Sequence, residues 1–142
     1  MLKKVTDNLT SLLTVLKSFF AGPPGPTPGS IYDFMANVGD TNHFVPNSDQ
    51  LSLDSEQQLD RQVEWLKKYP KYNVLVEGHC DPDEGTREYC LGLGQRRAQN
   101  TKQYLSKFID PSRVEIISYG KERPIVITTS DYRNRRTVTI VR

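Results

Sequence analysis

The run Glu77 Gly78 His79 Cys80 Asp81 Pro82 Asp83 Glu84 Gly85 Thr86 Arg87 Glu88 Tyr89 Cys90 gathers most of the reactive groups of this chain, and Leu93 Gly94 Gln95 Arg96 Arg97 Ala98 follows closely. Asp81 falls just beyond a predicted strand, and Arg97 lies about three turns into the predicted next helix, so they converge only if the loop folds back. Gly78 and Gly85 give that loop the backbone freedom to do so. Two arrangements are open. In one, Asp81 and Arg97 close an internal salt bridge between loop and helix. In the other they stay free and grip a ligand carrying both charges, the carboxylate holding an ammonium and the planar guanidinium a carboxylate. Neither arrangement breaks a bond, so no catalytic residue is assigned.

His79, Cys80, Asp81 and Cys90 also invite a metal or thiol-nucleophile reading, and with it a metal-dependent hydrolase. A hydrolytic zinc site takes three protein ligands and an open position, whereas this spacing matches no helix-based or knuckle pattern, and His43 is the only other histidine. The sequence therefore predicts no metal and no cofactor, with His79 as a buried or edge hydrogen-bonding residue. Cys80 and Cys90 are read as free thiols at small-residue positions in preference to the alternative, a disulfide between them, because a loop running into a helix restricts disulfide geometry. Tyr132 Arg133 Asn134 Arg135 Arg136 lacks interleaved surface aromatics and a wider basic field. A solvated or ligand-edge cluster suits it better than a nucleic-acid patch.

The elements that must position these groups fit one domain. The chain has 142 residues, 36% of them hydrophobic, and a formal net charge of +2, so no global field draws it to nucleic acid or an anionic membrane. Residues 1–20 carry Lys3 and Lys4 before an apolar stretch that Lys17 interrupts, the pattern of a degraded signal or an anchor segment. Residues 21–37 form a linker whose Pro/Gly-rich part, AGPPGPTPGS, runs to Ser30. A short strand over 42–45 precedes a helix whose apolar positions are Leu59, Val63 and Leu66, started by Ser52 or Asp54 and stopped at Pro70; Trp65 packs beside that face. Residues 72–78 alternate as a strand, and residues 87–108 repeat Leu91, Gly94, Ala98, Thr101, Leu105 and Phe108 at helical spacing. Two further strands, 114–119 and 137–141, flank a loop over 121–133. Consecutive strand-helix-strand units favour parallel pairing, with the helices on one face and ligands at the carboxyl ends of the strands.

Val76 to Asp81, Gly85 to Tyr89, Leu93 to Ala98, and Ser118 Tyr119 Gly120 Lys121 Glu122 Arg123 Pro124 with Asn134 Arg135 Arg136 form four separated blocks. In these blocks the chain resembles the OmpA-like C-terminal domain family, and within it the Pal-like domains. The resemblance covers residues 38–142 and implies an α+β two-layer sandwich, β-α-β-α-β-β, with helices packed on one face of a mixed sheet. It further implies non-covalent peptidoglycan binding through stem-peptide diaminopimelate. Asp81 would hold the ammonium and Arg97 the carboxylate, with Thr86 and Leu93 nearby and Asn134 and Arg135 supporting the pocket edge. Asn47 stands where the family offers an aspartate, and the loop from Asp81 to Gly85 is one residue longer than usual, leaving Asp83 as a substitute for Asp81. The implied setting is the periplasm beside the outer membrane, with a TolB-like partner competing for an overlapping surface. A wall-binding module of another envelope protein, of the OmpA or flagellar-stator kind, is the nearest alternative.

Overall fold

The computed structural model describes residues 2–20 and 24–142. Helix α1 spans Leu2–Phe20 and exposes Leu9, Leu12, Leu13 and Leu16. No helix among the described residues is long and apolar enough to cross a membrane.

The part of the expected linker beyond Ser30 is structured. Ser30 caps a short helical turn, α2 (Ile31–Asp33), by accepting the Asp33 N–H at 3.1 Å, and the chain continues as a π-helical turn over Phe34–Val38. The Pro/Gly-rich composition ends at Ser30, and beyond it Phe34 is fully buried and meets Trp65 edge-on, with ring centroids 5.1 Å apart. The Trp65 indole N–H donates to the Asp33 carboxylate at 2.8 Å. Trp65 is thus a packing residue with its polar edge satisfied.

From Thr41 the order is β1 (Thr41–His43), α3 (Leu53–Lys68), β2 (Val74–His79), α4 (Arg87–Leu105), β3 (Val114–Gly120) and β4 (Arg136–Val141). Ser52 caps α3 by accepting the Ser55 N–H, and Asp54 falls inside the first turn, where its charge favours the helix dipole. Helix α4 stops at Leu105, short of the predicted Phe108, because the chain tightens into turns that bury Ile109 and leave Phe108 out.

The four strands form one mixed sheet in the order β1-β4-β2-β3. Only β2 and β3 pair in parallel; β4 inserts between β1 and β2 and is antiparallel to both. The parallel expectation therefore fails for the β1–β2 pair, which the final strand separates. Val74, Val76, Val114 and Val141 meet Leu59, Val63, Leu66, Ala98 and Leu105 in the core between sheet and helices. The helix α4 rests directly on β2: a Cβ on Gly78 would lie 1.8 Å from the Gly94 carbonyl oxygen, and one on Gly94 2.3 Å from Ser118 Oγ. This close approach sets the start of α4 over the carboxyl ends of β2 and β3, where the 80–86 loop lies.

Candidate functional site

The loop from β2 to α4 is built by reciprocal capping. Asp81 begins a 3-10 turn, Pro82–Glu84, by accepting the Asp83 N–H at 2.9 Å, while Glu84 reaches back to accept the Asp81 N–H at 2.8 Å. Thr86 then caps α4, its Oγ accepting the Tyr89 N–H at 3.2 Å.

Asp81 is fully buried and accepts four hydrogen bonds: Asn134 Nδ2 at 2.8 Å, Asp131 N at 3.0 Å, Asp83 N at 2.9 Å and Ser130 Oγ at 3.1 Å. Burial works to raise its pKa, but these donors, Asn134 first, hold it below the usual carboxylate range. Asn134 is saturated in turn, accepting from Ile125 N and Val126 N and donating to Val126 O. Asp81 therefore ties the 121–133 loop to the end of β2.

Arg97 is also fully buried, and its partner is Glu84. The guanidinium forks onto that carboxylate, with Nη1 to Oε1 at 2.9 Å and Nη2 to Oε2 at 2.6 Å. The remaining donors reach Ser48 O at 2.8 Å, His79 O at 2.8 Å and Val45 O at 3.3 Å, and the plane lies 5.1 Å from the Phe44 ring centroid. Glu84 also accepts the Asn47 N–H at 2.7 Å; burial opposes its ionisation, while Arg97 and the backbone donors lower its pKa on balance. The open Asp81 and Arg97 clamp is thus absent from this conformation. An internal salt bridge between loop and helix is present, with Glu84 in place of Asp81.

The other expected contact residues divide by depth. Leu93 is buried against Cys80 and Cys90, where nothing arriving from solvent touches it. Thr86 is exposed but its hydroxyl is committed to the cap. Asn47 is exposed in the left-handed region at φ 57° and receives a long hydrogen bond from the Tyr89 hydroxyl at 3.4 Å. Arg135 donates to Phe44 O at 2.8 Å and, with Val45, Ser48 and Tyr132, lines a depression of about 400 Å³ beside the Arg97 pair. Asp83, next to the buried pair, is exposed. Glu84 escaped the sequence reading, although Asp81 followed three residues later by Glu84 is the spacing of a capping box.

Elsewhere the loop is sealed. His79 is buried, 3.2 Å from Glu77 Oε1 and stacked near Tyr119, and burial with Arg136 and Arg123 lowers its pKa to about 3, so it is neutral at pH 7. The basic run splits three ways: Arg133 pairs with Asp131, Arg135 with a carbonyl, and Arg136 is buried against the Arg123 carbonyl. No cluster of three metal-ligating side chains exists among the described residues.

The model of the OmpA family matches residues 43–137, a segment that contains α3, β2, α4, β3 and this whole network. The chain belongs to the OmpA family. Among family relatives, a protein named peptidoglycan-associated lipoprotein from Brucella melitensis is 44% identical over 84% of this chain and 73% of its own length. Its namesake from Rhizobium meliloti is 45% identical over 84% of this chain and 70% of its own. In three dimensions the crystal structure of the peptidoglycan-associated lipoprotein from Burkholderia pseudomallei superposes with a TM-score of 0.69 at 28% identity, covering 72% of this chain and 90% of that one. The C-terminal domain of Helicobacter pylori MotB, at 22% identity and a TM-score of 0.65, shares the fold. The α+β architecture and mixed sheet are those of the OmpA-like domains.

Proposed function

We propose that this domain binds peptidoglycan non-covalently and holds the outer membrane to the cell wall from the periplasmic side, without catalysis. The observation that carries this reading is the extent of the likeness to proteins named peptidoglycan-associated lipoproteins, over 84% of this chain, together with a family match that spans the loop and the capped helix. In the finer reading, the handle is a diaminopimelate side chain and a TolB-like protein competes for the same edge.

The buried pair changes how such a handle engages. A ligand carboxylate reaches Arg97 by displacing Glu84, a carboxylate-for-carboxylate exchange that keeps the guanidinium fork satisfied. The moving part is the Pro82–Glu84 turn, with Gly85 behind it. Asp83, already exposed, then faces the ammonium, while Asp81 stays in place as the pin of the neighbouring loop.

Retention on isolated sacculi tests this. Glu84→Gln loosens the internal hold on Arg97 and raises retention, whereas Asp83→Asn lowers it by about tenfold, the size of one charge-assisted contact of about 1.5 kcal/mol. Sacculi whose stem peptides carry lysine instead of diaminopimelate lack the side-chain carboxylate and are held less well. Equal retention on both walls, with Glu84→Gln and Asp83→Asn unchanged from the parent, refutes the diaminopimelate site; no retention on any wall refutes wall binding itself.

A further inference from the structure

Cys80 and Cys90 stand at the two ends of the loop that carries Asp81, Asp83 and Glu84, and the wall-binding reading uses neither. They are 1% and 0% exposed and form, with Leu93, a cluster of their own apart from the main core. Their backbones meet at one residue. The Cys80 N–H donates to Gly120 O at 2.9 Å, and a Cβ on Gly120 would lie 3.3 Å from the Cys90 carbonyl carbon. Cys90 Sγ sits 3.9 Å from both Asp81 O, the carbonyl next after Cys80, and Gly85 O, and the Cys80 and Cys90 side chains are within hydrogen-bonding reach of each other. Both cysteines are free.

We propose that Cys80 and Cys90 are a dithiol site that oxidises to an intramolecular disulfide and staples the end of β2 to the first turn of α4. Burial first, then the neighbouring Cys90 thiol, pushes the Cys80 thiol far above its usual pKa. Folded Cys80 is a poor nucleophile and both sulfurs are shielded from solvent, so the exchange runs when the loop opens or before α4 docks. One cysteine thiolate attacks a small-molecule disulfide or a disulfide-bearing oxidoreductase, giving a mixed disulfide and releasing one thiol. The second cysteine thiolate then attacks the cysteine sulfur of that mixed disulfide and releases the other thiol. Two protons leave the cysteines, the oxidant's S–S bond is reduced to two thiols, and the chain becomes lighter by two hydrogens. The oxidising compartment rests on the envelope location proposed above; the chemistry in vitro does not. Once closed, the staple ties the two ends of the 81–89 segment together and slows its opening.

The test refolds the full chain from denaturant in a glutathione and glutathione-disulfide buffer, quenches in acid, unfolds again and alkylates with iodoacetamide. The expected product is a monomer two hydrogens lighter than the reduced chain, without added alkyl groups and with native circular dichroism. Its amide hydrogen exchange across residues 81–89 is several-fold slower than in the reduced form. The Cys80→Ala Cys90→Ala double variant exchanges at the reduced rate in either buffer. Alkylation of both cysteines, a persistent glutathione adduct on either one, disulfide-linked dimers, or a crosslinked monomer without native structure overturns the proposal. Retention on sacculi is a separate readout that bears on wall binding alone.

Discussion

Glu84 and Arg97 share a buried contact in which each charge is satisfied only because the other is present. Removing Arg97 strands a buried carboxylate, so Arg97→Ala is expected to cost about 3–5 kcal/mol in urea unfolding. The Glu84→Ala Arg97→Ala double variant loses less than the sum of the singles, which a double-mutant cycle measures. Asp81 and Glu84 both have folded pKa values below their unfolded ones, so their stabilisation is complete above the ordinary carboxylate range and disappears as pH falls through the lowered values. His79 adds to acid sensitivity at higher pH. Its pKa drops from 6.5 to about 3 on folding, so the unfolded chain binds the extra proton between those values. Stability is expected to decline as pH falls below about 6.5, and His79→Gln, followed by thermal melts from pH 7 to pH 4, removes that part of the slope.

Among the elements, the contact between α4 and β2 sets the geometry of the site. Gly78 and Gly94 bring backbone against backbone, and a methyl group at Gly78 meets a carbonyl oxygen that cannot rotate away. Gly78→Ala is therefore expected to destabilise by about 3 kcal/mol or more and to shift the start of α4, seen as broad amide chemical-shift changes from 79 to 90. Thr86→Ala removes one cap and costs about 1 kcal/mol by denaturant melt, leaving the Glu84–Arg97 pair in place. The helical spacing of Leu91, Gly94, Ala98, Thr101 and Leu105 made α4 legible from sequence. Its end was not, because the apolar Phe108 continues the period while the chain has already turned to bury Ile109.

For the whole molecule, the folded unit begins before the segment that the family model matches. Phe34, Asp33 and Gly29 are joined to Trp65 and Tyr72 by packing and hydrogen bonds, including Tyr72 Oη to Gly29 O at 2.7 Å. Phe34→Ala is expected to cost about 3–5 kcal/mol, and a chain truncated through Val38 should melt well below one truncated through Pro28. Scanning calorimetry of the two truncations gives the comparison. The mixed sheet has a similar long-range cause: β4, last in sequence, fills the gap between β1 and β2, so the site is completed only when the C-terminal strand docks.

By itself, the sequence determined the helix and strand periods, the single-domain scale, the loop that carries the charged groups, and the blocks by which the chain resembles its family. Those properties are local: they depend on residue type and on spacings of two or three to four along the chain. Tertiary structure alone decided which carboxylate meets Arg97, how deeply Asp81, Leu93 and Asn134 lie, where the last strand inserts, and that Cys80 and Cys90 share one cluster. Asp81, Asp83 and Glu84 are alike in charge and lie within four residues, so only the turn at Pro82 and the docking of α4 fix which of them meets Arg97.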